Sequence, residues 1–134
     1  MNIQTFEHGD CIVVQPNMTR IDHTIANRFR DLVFERATLS RRTVVLDLST
    51  VEFIDSSGLG AIMGLRKRLG WSVRIVLAGL KSPVYRVFEM ARVTQVFTFY
   101  TSVDAAVGRT IGDSAPWDKP AEPAADTGGA PVTN

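Results

Sequence analysis

The sequence predicts an α/β fold in which helices pack against a mixed, largely parallel sheet. Short β-branched apolar runs alternate with segments whose apolar residues recur at helical spacing, and an opening hairpin precedes this alternation. The chain has 134 residues, of which 45% are hydrophobic, and this suits the core of one domain. We expect about five strands and four helices in the order ββαβαβαβα.

The first elements are a hairpin and a helix. Residues 3–7 and 11–15 are strand-like, and a short turn separates them. Apolar residues then recur at helical spacing as far as Val33, with Asp22 or Thr24 available as the N-cap. The sequence therefore predicts an antiparallel hairpin followed by an amphipathic helix.

A buried strand and a second helix come next. Residues 43–48 form a nearly continuous β-branched run, which is typical of a strand covered on both faces. We expect Phe53 and Ile54 to enter the interior and the second helix to cover residues 57–69. Gly70 stands where a left-handed C-cap belongs.

Two strand–helix pairs complete the predicted domain. Residues 73–78 are another β-branched run, and Ser82-Pro83 predicts an N-cap followed by the first residue of a helix. A short strand at residues 97–100 and a last helix at residues 102–110 follow.

The composition changes at the end of this pattern. Residues 112–134 contain four of the six prolines, and four acidic residues against one lysine, with almost no apolar periodicity. Such a segment buries too little apolar surface to offset its ordering entropy. We therefore predict a domain over residues 1–111 and a disordered tail over residues 112–134.

Charge and cysteine content limit the possible classes of function. The net charge of +1 gives no reason to expect a nucleic-acid or membrane-surface partner. Cys11 is the only cysteine, so no intrachain disulfide forms, and a reducing compartment is favoured. The polar N-terminus does not resemble a signal peptide, and no apolar run is long enough to span a bilayer. We expect a cytoplasmic protein.

The most informative stretch begins the second helix. Asp55, Ser56, Ser57 and Gly58 follow the buried strand, where polar side chains cap free backbone N–H groups. The positive end of the helix dipole also tolerates an anion at Ser56, such as a phosphoryl group with nearly two negative charges. Taken one at a time, these residues favour an ordinary helix cap over a functional site.

The same helix carries glycines and a basic run. We expect Gly58, Gly60 and Gly64 to let the backbone pass close to its neighbours. Residues 66–68, Arg-Lys-Arg, lie at the C-terminal end, where cations complement the dipole, so we expect a solvated helix end there.

Several stretches together resemble the STAS family. They are VVLDLS at residues 44–49, FIDSSGLGAIMGL at residues 53–65, LKSPVYRVFEMARVTQVF at residues 80–97 and RID at residues 20–22. The resemblance implies the STAS fold and a regulatory protein rather than an enzyme. Two turns depart from the family pattern, before the RID motif and at Arg92-Val93, where a glycine-leucine pair is common.

The resemblance also implies a site. The first serine after the aspartate, Ser56, is the implied phosphorylation site, and Asp22 matches an acidic residue near it. The implied partner-binding residues are Asp22, Asp55, Ser56, Ser57, Gly58, Leu59 and Gly60.

The implied role is that of an anti-sigma-factor antagonist, or anti-anti-sigma factor. Its unphosphorylated form binds an anti-sigma factor that is also a serine kinase of the histidine-kinase-like ATPase type. A metal-dependent serine/threonine phosphatase reverses the modification, and no cofactor is implied. Two alternatives within the family have no sigma-factor output. They are an accessory subunit of a lipid-transport ATPase and a regulator of secretion, motility or stress.

Enzymatic alternatives find little support in the residues. A serine hydrolase needs a base within reach of its serine. The sequence has only two histidines, and we expect His8 in a turn and His23 in the first turn of a helix. The glycines at the second helix precede no Walker lysine, so a nucleotide-binding loop is not indicated. Two histidines and one cysteine do not form a metal-ligand cluster at known spacing.

Overall fold

The computed structural model describes residues 1–38, 43–70 and 73–110, and of residues 109 and 110 only their place in a helix. The predicted tail lies outside the described residues. The strands are β1 (Ile3–His8), β2 (Cys11–Pro16), β3 (Arg20–Ile21), β4 (Thr43–Asp47), β5 (Phe53–Ile54), β6 (Arg74–Ala78) and β7 (Thr98–Tyr100). The helices are α1 (Ala26–Ala37), α2 (Ser56–Leu69), α3 (Ser82–Met90) and α4 (Val103–Thr110).

Five strands form the main sheet in the order β1-β2-β4-β6-β7. β1 and β2 are antiparallel, and the other neighbours are parallel. The hairpin turn contains Gly9 at φ 62°, a left-handed conformation that glycine adopts without strain. The predicted class, a mixed and mostly parallel sheet with four helices, is confirmed.

The sheet separates two apolar layers. Alternate residues of the strands, with α1, α2 and α3, form the larger core around Phe29, Leu46 and Phe88. The opposite face packs against α4 through Val45, Val76 and other small side chains. β4 is buried along its whole length because both its faces are covered, which confirms the interpretation of residues 43–48.

A second, two-stranded sheet was not predicted. β3 and β5 pair in parallel, with Ile21 opposite Ile54, and both side chains are buried. Each strand has only two residues, which is too short to show any periodicity in the sequence. This pair places the residues that follow β3 beside the residues that follow β5.

Two predicted helix caps are wrong. The N-cap of α1 is Ile25, without a side-chain bond, because Asp22 instead accepts the backbone N–H of Thr24 at 3.0 Å. The N-cap of α3 is Lys81, whose carbonyl accepts the first helical bond, so Ser82 is already the first helical residue.

The end of α2 differs from the predicted solvated end. Arg66 is buried, and its guanidinium donates to the carbonyl oxygens of Gly70 and Val73, which lie just past the helix. Arg68 reaches α1, with its guanidinium carbon 4.1 Å from the ring centroid of Phe34. Gly70 has a positive φ of 78° as predicted, but its ψ of 178° is extended rather than left-handed helical.

Candidate functional site

Ser56 is the first residue of α2 and is exposed at the end of the sheet where the parallel strands finish. Asp55 caps this helix, because its Oδ1 accepts the backbone N–H of Gly58 at 2.9 Å. Ser57 is also exposed. The two serines therefore stand at the positive end of a 14-residue helix, where an added anion is stabilised.

The other carboxylate oxygen of Asp55 contacts the segment after β3. Asp55 Oδ2 accepts the backbone N–H of His23 at 3.0 Å, and the two residues are 32 positions apart. The His23 Nδ1 atom lies 3.8 Å from the same oxygen. Asp55 thus caps α2 and also holds the β3–α1 connection against the start of α2.

Asp22 forms the acidic neighbour of this cap. Its carboxylate accepts from the Thr24 backbone, and its Oδ2 lies 3.6 Å from Arg20 Nε. The Arg20 guanidinium carbon lies 4.2 Å from the ring centroid of Phe53, whose side chain is 40% exposed. The prediction that Phe53 enters the interior is therefore wrong, since its ring covers Arg20 at the surface while Ile54 points inward.

Both carboxylates stay ionised more readily than free aspartate. The hydrogen bond from Gly58 holds the pKa of Asp55 below its usual value of 3.8, although desolvation and the Asp22 charge oppose this. The hydrogen bond from the Thr24 side chain lowers the pKa of Asp22 in the same way. The surface around Ser56 is therefore anionic before any modification.

The glycines of α2 have different surroundings. A side chain at Gly58 would meet Ile21 and Ile54, so the helix start contacts the β3–β5 pair directly. Among the described residues, nothing outside α2 lies within 4 Å of a Cβ added at Gly60, and only the Arg30 side chain approaches one added at Gly64, at 3.5 Å. The expected close approach is correct for Gly58 and wrong for Gly60 and Gly64.

The structure brings the seven predicted site residues to one corner, but not all of them reach its surface. Gly58 and Leu59 are buried, and the others are exposed or partly exposed: Asp22, Asp55, Ser56, Ser57 and Gly60. Sequence reasoning missed His23 and Phe53 as members of the corner. His23 precedes α1 rather than lying in its first turn, and its position directly after Asp22 was the available signal.

Within the described residues, no group of three or more His, Cys, Asp or Glu side chains is placed to hold a metal ion. No helix among them has the length and apolar content needed to cross a membrane.

The chain belongs to the STAS family. The STAS domain family model matches residues 2–106, which include every described strand, α1 to α3 and the first half of α4. The chain is 27% identical over 104 residues to a protein of Paenibacillus polymyxa described as an anti-sigma F factor antagonist. That match covers 75% of this chain and 88% of the relative.

Solved structures share the fold at low sequence identity. An anti-sigma-factor antagonist (STAS) domain protein from Planctomyces limnophilus superposes with a TM-score of 0.74 at 18% identity, covering 82% of this chain and 98% of that one. The Bacillus cell fate determinant SpoIIAA in its phosphorylated form superposes with a TM-score of 0.55 at 18% identity, covering 81% and 99%. These similarities establish the fold of the domain.

Proposed function

We propose that this protein is a cytoplasmic anti-sigma-factor antagonist that changes partners when Ser56 is phosphorylated. The observation that carries the proposal is an exposed serine at the first turn of α2, directly after the capping Asp55, whose carboxylate interacts with the charge of Asp22. The description of the Paenibacillus relative as an anti-sigma F factor antagonist, and the phosphorylated form of SpoIIAA, support both parts of the proposal.

The proposed cycle has two states. Unphosphorylated protein binds an anti-sigma factor that is also a serine kinase of the histidine-kinase-like ATPase type, and the sigma factor is released. The kinase then transfers the γ-phosphoryl group of ATP to Ser56 Oγ, so that the O–H proton is lost and ADP leaves. A metal-dependent phosphatase hydrolyses the phosphoserine with water and restores the hydroxyl.

Electrostatics explain why the modified form dissociates. The phosphoryl group adds nearly two negative charges to a surface that already carries Asp22 and Asp55. Desolvating this dianion in an interface is costly unless the partner supplies a cation, and each loss of about 1.4 kcal/mol weakens binding tenfold. In the unphosphorylated protein, the partly exposed Asp55 and the exposed Ser57 and Gly60 contact the partner, while the buried Gly58 and Leu59 position the corner.

The first experiment is phosphorylation by the partner kinase with intact-mass detection. We expect wild type and Ser57→Ala to gain one phosphate, and Ser56→Ala to gain none. Ser57 is the matched control because it is the adjacent exposed serine of the same helix turn. We also expect Ser56→Glu to bind the kinase at least about tenfold more weakly than Ser56→Ala, measured by calorimetry.

Other results would contradict the proposal. A phosphate that persists in Ser56→Ala would place the modification elsewhere, and equal affinities of Ser56→Glu and Ser56→Ala would remove the switch. Co-purification with a transport ATPase subunit in place of a kinase would favour the transport role.

A further inference from the structure

His23 lies at this corner without a role in the cycle described so far. Its ring is 76% exposed, and Nδ1 lies 3.8 Å from Asp55 Oδ2, which is longer than a hydrogen bond. We infer that the His23 imidazolium pairs with the phosphoryl group on Ser56 and partly neutralises it. This inference rests on the proposed function, because it concerns the phosphorylated state of Ser56.

Strand pairing explains the position of His23. β3 and β5 are parallel, with Ile21 opposite Ile54, so the residues two places further on are His23 and Ser56. Neighbouring strands lie about 4.8 Å apart, which is within the reach of an imidazole and a phosphoserine side chain. The hydrogen bond from the His23 backbone to Asp55 keeps the two segments together beyond the last strand pair.

The ring can turn toward a new anion at little cost. Its Nδ1 atom lies 3.8 Å from Asp55 without a hydrogen bond, and the nearby Arg20 of β3 and Asp22 are engaged with each other and with Phe53 and Thr24. α2 has no acidic residue in its first turn, and its basic residues lie in its last turn. Other charged groups toward this end of the sheet include Glu52 and Lys81, whose side chains lie 3.9 Å apart, and Arg28 at the start of α1. Asp47, at the end of β4, is buried and accepts from the Gln15 side chain.

An imidazolium and a phosphate dianion attract each other when they lie close together. Unperturbed histidine has a pKa of about 6.5, and the second pKa of phosphoserine is about 6. Each charged form therefore stabilises the other, so phosphorylation raises the pKa of His23 and His23 lowers the second pKa of the phosphate. The attraction is mutual, so removing the imidazole must also change the titration of the phosphate.

The test uses full-length protein with phosphoserine inserted at position 56 during translation, so no kinase is needed. NMR titration of the two histidine rings should show the His23 pKa at least about half a unit higher than in unmodified protein. His8 is the internal control, because it lies at the opposite end of the sheet, about 20 Å away, and screening should keep its shift below about 0.2 unit. A His23 shift no larger than that of His8 would overturn the inference.

The reciprocal measurement follows the phosphate by ³¹P NMR. His23→Gln removes the charge but keeps the backbone N–H that Asp55 accepts. We expect this variant to raise the second pKa of phosphoserine, and an unchanged titration midpoint would overturn the pairing. Neither measurement involves the kinase, so absence of kinase activity at Ser56 would contradict the proposed function and leave the inference about His23 standing.

Discussion

The packing at the start of α2 requires a residue without a side chain at position 58. A Cβ atom at Gly58 would lie 2.7 Å from Ile54 Cγ1 and 2.9 Å from Ile21 Cγ2, besides meeting the Ile21 carbonyl oxygen. A backbone oxygen and two branched, buried side chains have little freedom to move aside. Gly58 therefore lets α2 lie directly on the β3–β5 pair, and this contact places the start of α2 beside the segment that follows β3.

Gly58→Ala should destabilise the protein by about 1–3 kcal/mol, because the new methyl group overpacks the contact with Ile21 and Ile54. Gly60→Ala is the matched control two residues later, where no described residue outside α2 lies within 4 Å of an added Cβ. It should stabilise by about 0.5–1 kcal/mol, since alanine is the better helix former. Urea unfolding measures both, and similar effects of the two substitutions would show that the Gly58 contact is unimportant.

Helix α3 ends in a left-handed position that is occupied by arginine and not by the usual glycine. The N–H of Arg92 bonds to the carbonyl of Glu89 at 3.0 Å, and the N–H of Val93 bonds to that of Phe88 at 3.1 Å. This is the Schellman arrangement, whose left-handed position normally holds glycine. Arg92 occupies it at φ 61°, at the turn where the family commonly has a glycine.

Arg92→Gly should stabilise the protein by about 0.5–1 kcal/mol, because relief of the left-handed strain exceeds the added flexibility of the unfolded chain. Ala91→Gly is the control, since Ala91 has an ordinary helical φ of −83°. It should destabilise by about 0.5–1 kcal/mol. Thermal and urea unfolding report both changes, and a loss of stability in Arg92→Gly would mean that the Arg92 side chain contributes more than its backbone strain costs.

At the scale of the whole molecule, two sheets and two helices meet at one acidic corner. Asp55 connects the start of α2 to the segment that leads into α1, and Asp22 stabilises that segment through Thr24. Both carboxyl groups have pKa values below 3.8 in the folded protein. The folded state therefore binds fewer protons than the unfolded state at acidic pH.

The stability from these groups should be fully present above the unfolded pKa of 3.8 and should be lost as the pH falls through the lower folded-state values. The free energy of unfolding should thus fall below about pH 4, and less steeply in an Asp22→Asn, Asp55→Asn variant. Asparagine keeps the capping geometry, so the variant should still fold. Urea unfolding across acidic pH measures the slopes, and parallel curves for the two proteins would contradict this linkage.

Local patterns were sufficient for most of the architecture. The β-branched runs predicted β4 and β6, and the DSSG sequence placed Ser56 at a helix start, because burial on both faces and helix capping leave signals within a few residues. The sequence did not decide the N-cap of α1, because the Asp22 carboxylate can instead accept a hydrogen bond from the nearby Thr24 backbone, as it does in the structure. The predicted domain boundary at residue 111 stays a prediction, and the family match to residues 2–106 lies within it.

The sequence by itself determined the α/β class, the order of the main strands and helices, and the serine at the start of α2. Only the tertiary structure decided that Arg66 turns inward, that Phe53 stays at the surface over Arg20, and that His23 meets Asp55. For Phe53 and His23 the physical reason is distance along the chain, because their contacts join separate elements, and the two-residue strands that align His23 with Ser56 are too short to leave a pattern of their own. Arg66 turns inward because the carbonyl oxygens of Gly70 and Val73 lie within its reach only once the chain past α2 is folded.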